Sequence, residues 1–156
     1  MNEALMRWSG LTVTLVCALG LSMRSARAAP PTACDLLSAK EVEQALGKPG
    51  KIQDATSDHC WWTTPYRTLS ISIDAALFDE AKQMRMAREL VQNLSPKHIF
   101  QDEPSVAPFA FSETLTINEW VVRFMKGKKF VTVKAHEAPD GLEAARRVAK
   151  LVYAKM

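Results

Sequence analysis

The stretch WVVRFMKGKKFVTVKAH, Trp120 to His136, decides the fold. Two runs rich in β-branched and aromatic residues, Trp120–Met125 and Phe130–His136, flank Lys126-Gly127-Lys128-Lys129. Residues of this kind favour strands, and Gly127 can adopt the positive φ of a tight hairpin turn. Upstream, Thr68–Asp74 alternates cleanly, with Leu69, Ile71 and Ile73 on one side and Ser70 and Ser72 on the other, as in a half-buried antiparallel strand. Phe109–Ile117 puts Phe109, Phe111, Leu115 and Ile117 on one parity, and His59–Thr64 adds a further strand-like run. Lys51–Thr56 is a marginal strand candidate, and Pro96–Pro108 reads as irregular.

Three helices surround these strands. Ser38 and Glu41 form a capping box, Leu37 and Val42 occupy the staple positions, and Gly47 supplies a left-handed stop. Leu77, Ala81, Met84, Ala87, Val91 and Leu94 recur at helical spacing, Leu90 widens the stripe, and Lys82, Arg85 and Glu89 lie on the polar side. Ser95-Pro96 ends that helix. A last helix is expected to be capped by Asp140, with Leu142, Ala145, Val148, Ala149 and Val152 facing the core. The reading is an α+β domain: an antiparallel sheet of about five strands with helices packed on one face, in the order α-β-β-α-β-β-β-α.

Composition agrees with one folded domain. The chain has 156 residues, 47% hydrophobic, 24% charged and 8% aromatic, which excludes a disordered polar chain and a multi-span membrane protein. Residues 1–28 read as a secretory signal peptide, leaving 29–156 as the domain. Arg7 supplies the positive start, Trp8–Ser22 an apolar stretch too short to span a bilayer, and Ala26-Arg27-Ala28 the small-x-small cleavage form. An uncleaved anchor is the alternative. Lipidation at Cys34 fits poorly, since Pro31 stands where the motif wants a leucine-like residue. Cleavage takes the basic count from 20 to 17 and the acidic count from 17 to 16. The net charge falls from +3 to +1, which gives no bulk attraction to nucleic acid or to acidic membranes, and with the leader cleaved no stable membrane insertion is expected.

Cys17 leaves with the leader, so Cys34 and Cys60 remain. An even pair in an exported chain reads as a disulfide. Periplasmic or secreted localisation follows from the same argument.

Cys34-Asp35-Leu36-Leu37, Glu41-Val42, Ala45-Leu46-Gly47 and then Cys60-Trp61 resemble a pattern of small exported bacterial domains of unknown function, often lipoproteins. In these a "CDLL…EV…ALG" helix is tethered by a disulfide to a "C-W/Y" strand, and Phe78-Asp79-Glu80-Ala81-Lys82 is similar to their next helix. Their Gly-rich segment before the second half of the sheet is replaced here by Pro104–Pro108. The resemblance covers about the first half of the domain and implies a fold and an exported location, with no activity.

No nucleophile elbow, phosphate loop, dinucleotide fingerprint or zinc-protease motif occurs. His59, His98 and His136 are scattered, and Asp102-Glu103 and Glu41-Glu43 read as solvated carboxylates. Met84 and Met86 point about 200° apart on a helix, against a copper site. The expectation is therefore no catalytic residue, no metal and no cofactor. Trp61 and Trp62 must face opposite sides of a strand. One goes to the core; the other is either covered by the Ala29–Asp35 leader or exposed. Trp62 with Arg67 is the candidate partner-binding pair, since Trp and Arg dominate interface energetics. The Lys126–Lys129 turn is a solvated tip or a contact for an acidic partner. The expected function is a non-enzymatic module binding a protein partner, as an inhibitor, immunity or assembly factor. The alternative is a binder of a small apolar ligand, held between the Leu77–Leu94 helix and the Phe109–Phe130 strands.

Overall fold

A computed structural model describes residues 32–95 and 97–156; the expected signal peptide, 1–28, lies outside the described residues. The central hairpin is as read. Strands β6 (Glu119–Lys126) and β7 (Lys129–His136) pair from Glu119↔His136 to Lys126↔Lys129, and Gly127 turns at φ 59°. Strand β3 (Thr68–Ala75) pairs with β7 along its whole length. The sheet extends through β2 (His59–Thr63) to β1 (Lys51–Ala55) on one side, and through β5 (Phe111–Thr116) to β4 (Ile99–Asp102) on the other. All pairings are antiparallel, in the order β1-β2-β3-β7-β6-β5-β4.

Among the described residues seven strands form the sheet, where about five were expected. The two added members are the edges: β1 coincides with the marginal candidate Lys51–Thr56, and β4 was not foreseen. β1 is exposed at every residue, and β4 is four residues long inside the stretch read as irregular. An edge strand pairs on one side only and needs no apolar face, so periodicity does not announce it.

The helices do not share one face. A 3-10 turn (Ala33–Leu36), α1 (Ala39–Leu46) and α3 (Leu142–Lys155) pack against Leu69, Ile71, Val122, Phe124, Val131 and Val133. Helix α2 (Glu80–Leu94) instead brings Met84 against Phe111 and Met125. Phe124 and Met125 are neighbours on one strand and must point to opposite sides, so α2 lies on the other face and the domain has three layers. The cause is visible in β6, where Val121, Val122, Phe124 and Met125 are all buried.

Local chemistry sets the helix ends. Ser38 Oγ accepts from the Glu41 N–H, and the Ser38 N–H donates to the Glu41 carboxylate at 2.7 Å. Gly47 closes α1 at φ 71°, and Arg67 Nη1 donates to the Leu46 carbonyl at 2.7 Å, a cation where the helix dipole favours one. Asp79 caps α2. Asp140 does not cap α3. The chain enters that helix through Gly141 at φ 56°, and the Asp140 carboxylate is occupied by Arg147 at 2.7 Å.

Cys34 and Cys60 form a disulfide with Cα atoms 5.0 Å apart, tying the 3-10 turn to β2. Among the described residues no helix is long and apolar enough to cross a membrane.

Candidate functional site

The second layer is incomplete, and that leaves a groove. Helix α2 buries only Met84 of its expected apolar stripe, whereas Leu77, Leu90 and Leu94 are 82%, 60% and 74% exposed. The groove, about 480 Å³, lies between Ala81, Met84, Arg85 and Arg88 of α2 and Asp102, Phe109 and Phe111 of the sheet end. That volume is within the range of small-molecule sites. Its floor is apolar, because Met84 and Phe111 belong to one cluster. Arg88 donates to Asp102 at 2.6 Å and holds its guanidinium 5.5 Å from the Phe111 ring and 5.8 Å from the Phe100 ring. The fork is thereby oriented by both an ion pair and cation–π contact. Phe109 stands exposed at the lip with φ 56°, a left-handed conformation that costs free energy for a bulky side chain.

A buried ionic cluster occupies the same face. Arg123, directly across from Phe111, donates to the Glu113 carboxylate. The other Glu113 oxygen faces His98 Nδ1 at 3.8 Å, and neither atom has a hydrogen-bond partner among the described residues. Burial pulls the Arg123 guanidinium down to about 10. The Arg123–Glu113 contact ties β6 to β5, and His98, just before β4, lies beside it. On the opposite face the Glu103 carboxylate accepts from Arg146 Nε and Nη2 at 2.7–2.8 Å and from Ser112 Oγ at 2.6 Å. Hydrogen bonding to Glu103 raises the Arg146 guanidinium above its ordinary value. Glu103 therefore anchors the loop before β5 to α3, and is not the solvated carboxylate expected. Asp102, beside it in sequence, points to the groove and its ion pair with Arg88.

The expected contact pair lies elsewhere. Trp62 is 4% exposed and part of the main core, while Trp61 is 41% exposed. Trp62 has the parity of Cys60, and the disulfide turns that side of β2 toward the 3-10 turn. Arg67 is half-buried and committed to the Leu46 carbonyl. The pair belongs to the packing around α1. Trp61 lies over a shallow depression with His59, Thr68, Ser70 and Lys134. In the turn, the Lys126 ammonium sits 4.0 Å above the Tyr153 ring. Glu113 was legible in principle: a carboxylate sharing parity with Phe111 and Leu115 must enter an apolar face and find a cation there. Among the described residues no group of three or more His, Cys, Asp or Glu side chains could hold a metal ion.

Glu41 also has a partner far along the chain. Lys155 Nζ lies 2.7 Å from its carboxylate, joining α1 to the end of α3. Hydrogen bonds from Lys155 and from the Ser38 backbone pull its pKa from 4.5 to about 2. A depressed carboxylate stabilises the fold above its unfolded value and loses that stabilisation as the folded form is protonated. Wild-type stability is thus expected to drop between about pH 4.5 and 2, and Lys155→Met to flatten that part of the profile. Urea midpoints at pH 5 and pH 3 that fall equally in both proteins would contradict this.

The architecture defines an α+β domain with a seven-stranded antiparallel sheet between α1 and α3 on one side and a loosely seated α2 on the other. No protein-family model, curated protein or solved structure matches the chain.

Proposed function

We propose that this chain is an exported, non-enzymatic interaction module that binds a protein partner, as an inhibitor, immunity or assembly factor. One observation carries the reading: the outer flank of α2 is apolar and is not covered by any of the described residues. Met86, Leu90 and Leu94 recur at i, i+4 and i+8, so they form one row along the helix, and all three are exposed. Contiguous apolar surface of this kind marks interaction sites, whereas singly scattered residues do not. Export is part of the proposal, and the Cys34–Cys60 disulfide supports it.

A photocrosslinking side chain at Leu90 is expected to give a discrete adduct in the periplasm, and one at Lys51 on the far edge strand is not. Leu90→Glu with Leu94→Glu should abolish binding of that partner and leave stability within about 0.5 kcal/mol, because both positions are exposed. Equal adducts at the two positions, or binding that survives the double substitution, would sink the reading.

The alternative, a small-molecule binder, is favoured by the groove between α2 and the Phe109–Phe111 segment. It needs no partner protein and uses the other flank of the same helix.

A further inference from the structure

We infer that the groove takes a small amphiphilic anion, an apolar chain or ring ending in a carboxylate or similar group. The inference rests on the small-molecule reading and names its ligand class. Two features of the lining select that class. The first is apolar: Ala81, Met84, Phe109 and Phe111 offer a surface that an alkyl chain or ring would cover on leaving water. The second is charge. Arg85 and Arg88 lie one turn apart on the same wall, against one carboxylate, Asp102. Asp102 engages Arg88 through Nη1, leaving most of the five guanidinium N–H groups for another acceptor. The nearest carboxylate to Arg85 is Glu89, at a loose 3.9 Å and on an exposed surface. A ligand anion would find one pre-oriented guanidinium and one exposed one beside an apolar floor. A cation of the same shape would meet repulsion, and a neutral ligand would forgo the charge-assisted bonds.

Decanoate, decanol and decyltrimethylammonium are the probes, titrated calorimetrically at submillimolar concentration into the disulfide-bonded protein. Decanoate is expected to bind at least tenfold tighter than the other two. Arg85→Glu should weaken decanoate at least tenfold, and Ala81→Trp, at an exposed position, should fill the groove and abolish binding. Arg85→Ala serves as a second, milder variant, and unchanged thermal midpoints verify folding. Equal binding of all three probes would overturn the anion assignment while the groove itself stands as a site. Binding of none of them would overturn the groove reading together with it. Decanoate binding undiminished in Ala81→Trp would place the ligand elsewhere and defeat the inference.

Discussion

Arg146→Met is expected to lower the free energy of unfolding by about 3–5 kcal/mol, because it strands a buried carboxylate without its cation. Glu103 is 3% exposed and receives three close hydrogen-bond contacts from the Arg146 guanidinium. Ser112 alone would then face the charge, and the loop carrying Glu103 would lose its tie to α3. The companion test is Glu103→Met combined with Arg146→Met. Removing both charges removes the desolvation cost as well, so the double variant should be clearly more stable than Arg146→Met alone. Equilibrium urea unfolding of the three proteins measures this. A single variant within 1 kcal/mol of wild type, on the same order as an exposed ion pair, would show that Glu103 is solvated in solution.

Opening the Cys34–Cys60 bridge has the second large effect. It constrains residues 26 apart in sequence, and releasing an interval of that length is worth about 3.5 kcal/mol on the chain-entropy account. Against the ~5–15 kcal/mol of an ordinary domain that is a sizeable fraction. Cys60 is fully buried and Cys34 packs against the main core, so Cys34→Ala with Cys60→Ala also thins the contacts between the 3-10 turn and β2. Relative to oxidised wild type, urea unfolding should show this loss in the reduced protein and a loss at least as large in the double variant. A reduced wild type with an unchanged midpoint would count against the bridge as a determinant of stability.

Much of the local structure was legible. The Gly127 hairpin, the Ser38–Glu41 capping box, the Gly47 stop and the alternating Leu69 and Ile71 all occur as read. Each depends on residues within a few positions of one another, where spacing and conformational preference decide the outcome. The edge strands were barely legible, β1 only as a marginal run and β4 not at all, because β1 is exposed throughout and β4 turns only Phe100 inward. Nor was the outcome for α2. Its periodicity announces an amphipathic helix, yet the stripe is only partly covered, since the cluster beneath buries only Met84, Phe111 and Met125, with Ala87, Phe100 and Phe130 half-buried against it. The groove and the exposed row at Leu90 and Leu94 are both products of that shortfall.

The two tryptophans show the boundary. Sequence alone establishes that Trp61 and Trp62 oppose each other, that two cysteines can pair, and that Trp120–His136 folds as an antiparallel hairpin. Only the tertiary structure decides that Trp62 follows Cys60 inward, that α2 crosses to the second face, and that Glu103 and Glu113 are buried charges. The reason is distance along the chain. Periodicity tells which residues share a face, but what covers that face arrives from afar: Arg146 reaches Glu103 across 43 positions and Lys155 reaches Glu41 across 114. Such partners are chosen by packing the whole domain, and no window of neighbouring residues contains them.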